Sequence, residues 1–69
     1  MAEGLSNSLR DERARLSWTQ AELVERVGVS RKTINTVENG VFVPSTILAL
    51  KLAAAIGKPV EQLFVLDEA

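Results

Sequence analysis

At 69 residues and 7.5 kDa, with no cysteine and no histidine, the chain has room for one small domain and no material for disulfides, thiolate or imidazole metal sites, or histidine acid–base chemistry. Hydrophobic residues at 46% and charged residues at 25% fit a folded globular domain rather than a disordered tail. The net charge of −1 gives no gross signal for nucleic-acid binding, so any such case has to come from where the charges sit.

The apolar residues recur at three and four, the helical period, and Gly28, Gly40 and Gly57 divide the chain. No run alternates long enough to argue a strand. The first helix is expected from about Asn7 to Arg15, with Leu5, Leu9 and Leu16 on one face, Ala14 beside them, and Ser6 or Ser8 as cap. The second begins at Thr19, with Glu22 three residues on as in a capping box, carries Leu23, Val24 and Val27 inward, and ends at Gly28. The third runs Arg31 to Asn39 after the cap Ser30, with Ile34 and Val37 inward, and Gly40 closes it. A loop over 41–44 leads to Ser45, the cap of a fourth helix from Thr46 to Ile56. Pro59 fits the first turn of a short fifth helix reaching Phe64 or Leu66, and Asp67-Glu68-Ala69 reads as a frayed tail. The expectation is an all-α, compact five-helix domain over residues 1–69, with an ordered core of about 5–66 and short terminal tails.

The informative stretch is Thr19 to Gly40, T-Q-A-E-L-V-E-R-V-G-V-S-R-K-T-I-N-T-V-E-N-G. Two short helices meet at Gly28-Val29-Ser30, and the small Ala21 in the first suggests a close crossing. That is the helix-turn-helix pattern, whose second helix can lie in the major groove of DNA. Arg31 and Lys32 open the third helix at the positive end of its dipole, a poor place for cations unless the charge has another use. Arginine's fork matches guanine O6 and N7. Asn35 and Thr36 lie four residues after Arg31 and Lys32 and continue the same surface.

These motifs, with W-T-Q-A-E-L before them and P-S and L-K-L-A after them, resemble the Cro/phage-repressor (XRE-type) helix-turn-helix family over roughly residues 5–66. The resemblance implies a lambda-repressor-like fold. It implies a regulator of transcription, a repressor by the simplest mechanism, that binds double-stranded DNA at a two-fold operator as a homodimer with helix 31–39 in the major groove. Ser30, Arg31, Lys32, Asn35 and Thr36 are then the candidates for base edges. Gln20, Thr19, Thr33 and Asn39 are the candidates for phosphates. The positions of Arg13 and Glu38 match a family ion pair between the first and third helices. Relatives commonly carry a basic residue just after the glycine at position 40, where this chain has Val41.

The fourth helix carries a core stripe, Ala49, Leu52, Ala53 and Ile56, and a second apolar stripe, Ile47, Leu50 and Ala54. A helix apolar on two sides wants two partners. With Val60, Val65 and Leu66 the second stripe is the expected dimer interface, unless Ile47 and Leu50 lie under the Val41–Val43 loop. Trp18 is expected as a staple against the second helix near Leu23. An alternative is an antitoxin-like interaction module that binds a second protein and uses DNA only for autoregulation. No glycine-rich phosphate loop and no carboxylate pair in an apolar setting argues for an enzyme, and no cofactor or metal is expected. No apolar run approaches the ~20 residues of a membrane span, and Met1-Ala2-Glu3-Gly4 lacks signal-peptide order, which points to the cytoplasm.

Overall fold

The computed structural model describes residues 4–67, so Met1–Glu3, Glu68 and Ala69 fall outside it. Seven elements follow in order: β1 (Gly4–Asn7), α1 (Leu9–Arg15), α2 (Gln20–Val27), α3 (Arg31–Glu38), α4 (Thr46–Ile56), α5 (Val60–Leu63) and β2 (Phe64–Asp67). Three helices start where a side-chain oxygen meets an orphan backbone N–H. Thr19, Ser30 and Ser45 accept from the backbones of Glu22, Thr33 and Leu48, and Glu22 completes a capping box by accepting from the Thr19 N–H. Gly28 and Gly57 close α2 and α4 at φ 79° and 84°, the left-handed region where a Cβ is unwelcome.

The all-α expectation is corrected. β1 and β2 pair antiparallel, Leu5 opposite Leu66 and Asn7 opposite Phe64. Each strand is four residues long, too short for its alternation to stand out, and its partner lies at the other end of the sequence. The sheet shortens both neighbouring helices. α1 starts at Leu9, because Asn7 is in the strand and the Ser8 N–H donates to the Leu63 carbonyl. Neither Ser6 nor Ser8 caps α1 through its side chain; the Asn7 side chain accepts from the Leu9 N–H instead. The fifth helix stops at Leu63, and Pro59 caps it rather than forming its first turn. Asp67 is no frayed tail but pairs with Gly4 and accepts a hydrogen bond from the Ser6 hydroxyl.

The core is one cluster drawn from every helix and from β2. Leu9, Leu23, Ile34, Leu52 and Leu63 are completely buried, with Val37, Leu48, Ile56 and Phe64 around them. The stripe of α4 is turned slightly from the expected one: Leu48 is buried and Ala49 only partly. Ala14 and Ala21 are exposed, so the close crossing of α2 and α3 does not depend on Ala21; Val24 and Val29 pack on the core there.

The end of α1 carries a feature not legible beforehand. Ser17 sits at φ 60°, and the N–H groups of Ser17 and Trp18 donate to the carbonyls of Ala14 and Arg13. This is the double-bonded helix ending usually built around glycine. It sets Trp18 against the core, with the Arg26 guanidinium 4.1 Å from its ring centroid.

Candidate DNA-binding surface

α2, the turn Gly28-Val29-Ser30 and α3 form a helix-turn-helix, with Ile34 and Val37 fastening α3 to the core. The opposite face of α3 carries Arg31, Lys32 and Asn35, all exposed, and Thr36, partly buried. Ser30 is committed to the helix start; its hydroxyl accepts from the Thr33 N–H and lies 2.8 Å from the Thr33 hydroxyl. Thr36 uses its hydroxyl internally, donating to the carbonyls of Lys32 and Thr33 at 3.0 Å.

Beneath this face lies a charge network. The Glu38 side chain is wholly inaccessible. Its carboxylate accepts from Arg13 Nε at 2.8 Å and Nη2 at 3.2 Å, and from Gln20 Nε2 at 3.1 Å, with Arg10 Nε at 3.6 Å. Arg13 also donates to the Trp18 carbonyl, so one guanidinium ties α1, the segment before α2, and α3 together. Burial pushes the Glu38 carboxyl up. The Arg13 and Gln20 hydrogen bonds and the charges of Arg13 and Arg10 outweigh that and hold its pKa below the ordinary carboxylate value.

Gln20 joins this buried pair to the exposed face. Its Nε2 faces Asn35 Oδ1 at 3.4 Å as well as Glu38, and its Oε1 accepts from Arg31 Nε at 3.5 Å. Asn39 caps α3, accepts from Arg10 and reaches Asn35 at 3.4 Å. Arg13, Gln20, Arg31, Asn35, Glu38 and Asn39 thus fall into one connected cluster, with Arg10 as the member that sequence did not single out, while Ser30, Thr33 and Thr36 bond among themselves and to the α3 backbone. The spacing of Arg10, three from Arg13 on α1, was the available signal. Thr19 stands at the head of α2, occupied with its capping box. Lys32 stands outside the cluster. Among the described residues neither Arg31 nor Lys32 has a carboxylate within ion-pairing distance, whereas Arg15 and Lys58 are both spent on Glu12 at 2.7 Å.

A helix-turn-helix family model matches residues 9–63. The chain belongs to the helix-turn-helix family, in its XRE/Cro–C1 branch of DNA-binding transcription regulators. Helix-turn-helix relatives extend over nearly its whole length. An uncharacterized HTH-type transcriptional regulator of Methanothermobacter thermautotrophicus is 49% identical over 61 residues, 87% of this chain and 88% of that one. One from Bacillus subtilis is 41% identical over 64 residues, covering 93% and 97%. Among solved structures, this helix-turn-helix chain is similar to the restriction-modification controller protein C.AhdI from Aeromonas hydrophila. The TM-score is 0.74 at 30% identity, over 78% of this chain and 82% of that one. It is also similar to the hypothetical transcription factor NHTF from Neisseria, with TM-score 0.74 and 29% identity, over 80% of this chain and 63% of that one.

A second surface, borne by α4 and β2, exposes apolar side chains. Ile47 and Leu50 on α4 are 69% and 54% exposed, so they do not lie under the 41–43 loop, and Ala54, Val65 and Leu66 are exposed as well. Val60 is only partly exposed and packs toward the core. No helix among the described residues is long and apolar enough to cross a membrane.

Proposed function

We propose that the protein is a sequence-specific repressor that binds a two-fold operator as a homodimer, with α3 in the major groove. The observation that carries this reading is the state of Arg31 and Lys32. They are exposed cations without a carboxylate partner among the described residues, on a helix end whose dipole disfavours them. Phosphate and base edges supply what that position lacks.

In this reading Arg31 reads a guanine through its fork. Lys32 and Asn35 reach neighbouring base edges or phosphates, with Ser30 and Thr36 beside them. Thr19, Thr33 and Asn39 border the phosphates. Gln20 acts mainly by holding Arg31 and Asn35, since its amide is engaged from within the protein. The Glu38 carboxylate accepts from the amide N–H group and so turns the amide oxygen toward Arg31.

The dimer is built on the apolar side. Phe42, Val43 and Leu66 line one hollow, and Phe42 lines another with Ile47, Thr33 and Lys51, so Phe42 links the exposed apolar residues of β2 and α4. Exposed apolar surface of that continuity is typical of an interaction site. A two-fold dimer would present its two α3 helices about one DNA turn apart, ~34 Å. Repression follows by occlusion of the promoter.

The test is selection of duplexes from a random pool, followed by titration. A two-fold consensus is expected, with affinity falling as salt rises through counterion release. Arg31→Ala should relax preference at one position of each half-site, with a cost of about 1–3 kcal/mol. Failure of a well-folded dimer to enrich any sequence would overturn the reading.

A further inference from the structure

Val41 occupies the position just past Gly40 where the resembled family commonly has a basic residue, and the structure shows why an apolar side chain there is not spare. α3 ends in the same double-bonded form as α1. Gly40, at φ 74°, donates its N–H to the Val37 carbonyl, and Val41 donates to the Thr36 carbonyl at 2.9 Å. Phe42 donates to that same carbonyl at 3.2 Å. The loop is therefore fastened to the C-terminal turn of α3. Such endings often bury an apolar contact between the residue after the glycine and the helix residue it bonds. Here Val41 remains 78% exposed, so packing alone does not use it.

Val41 instead forms one wall of a shallow hollow of about 300 Å³, with Lys32, Thr33, Thr36 and Phe42 around it. Thr36 donates its hydroxyl to two backbone carbonyls of its own helix, which leaves its methyl as the unengaged end of the side chain. The hollow is continuous with the α3 face through Lys32 and Thr36, yet apolar where that face is polar. An apolar contact flanked by a cation, on a helix that enters the major groove, matches one group on the base edges, the C5-methyl of a pyrimidine.

We infer that Val41 and Thr36 form a receptor for the C5-methyl of thymine, making Val41 a specificity-determining residue where the family more commonly spends a phosphate contact. This rests on α3 lying in the major groove. It trades affinity that depends on salt for discrimination that does not.

The experiment uses the full chain and its selected duplex. Each thymine is replaced in turn by uracil, which removes the methyl and nothing else. One replacement per half-site should weaken binding about fourfold, the fold-change of one buried methyl at ~0.8 kcal/mol. Thr36→Ser keeps both backbone hydrogen bonds, and Val41→Ala leaves the loop backbone intact; in each the same replacement should cost less than half as much. At that position 5-methylcytosine is compared with cytosine. A preference for the methylated base marks the methyl itself as the ligand, and indifference with the uracil effect retained marks thymine as the base required. Tight, specific binding without a uracil-sensitive thymine would overturn the inference and leave the reading of α3 standing. So would a sensitive thymine that responds equally in both variants. A chain that binds no duplex would overturn both.

Discussion

The two sides of this small domain solve opposite problems. The α2–α3 side is polar and arranged from within: a buried carboxylate, Glu38, takes hydrogen bonds from Arg13 and Gln20, and Gln20 passes that order outward to Arg31 and Asn35. The α4–β2 side carries Ile47, Leu50, Val65 and Leu66, which among the described residues are open to solvent. A chain of net charge −1 can serve as a DNA-binding protein on these terms. Glu12 is paired with Arg15 and Lys58 away from α3, and among the described residues no carboxylate pairs with Arg31 or Lys32.

Damage to the two sides should leave different signatures. Glu38→Ala strands the Arg13 guanidinium beneath α3 and removes the acceptor of Gln20. Breaking a buried pair costs about 3–5 kcal/mol, which for a domain of this size approaches its whole stability. Urea or thermal unfolding should show the loss. Stability within 1 kcal/mol of the parent would remove the network from the account. Leu50→Asp should do the reverse. The side chain is exposed, so the fold should hold within about 0.5 kcal/mol, while sedimentation should show monomers and operator affinity should drop. A dimer of unchanged strength would place the interface elsewhere.

A smaller effect follows from the lowered pKa of Glu38. A carboxylate whose folded pKa lies below its unfolded value stabilises fully above the unfolded value, and that contribution is lost as pH falls through the folded one. Glu12 is shifted the same way, by hydrogen bonds from Lys58 and Arg15. Stability should therefore be flat from neutral pH down to the ordinary carboxylate range and decline below it. Glu38→Gln should make that decline shallower without abolishing it, because Glu12 remains. An acid limb unchanged in Glu38→Gln would contradict the assignment of the shift.

Much of the helical framework was legible in the sequence because its signals are local. Thr19 with Glu22, Ser30, Ser45, Gly28 and Gly57 each act within one helical turn, and the structure uses all of them as expected. The sheet was not legible, because Gly4–Asn7 finds its partner, Phe64–Asp67, at the other end of the sequence. The ending of α1 was hidden for another reason: Ser17 takes a conformation that glycine ordinarily signals. At the candidate site the identities of the polar residues were legible but not their connections. Gln20 reads as a free amide at a helix start, and only the approach of α3 shows it bonded to Glu38 and facing Arg31.

Gln20 stands between the buried Arg13–Glu38 pair and the outer face of α3, and the Gln20→Ala variant cuts that link. Operator selection should be repeated with this variant and the salt dependence of binding measured beside it. Preference should relax at the base positions read by Arg31 and Asn35, with the slope of log affinity against log salt unchanged. A uniform loss of affinity across duplexes, with sequence preference intact, would mean that Gln20 donates to a phosphate instead. The link between Glu38 and the reading face would then be wrong.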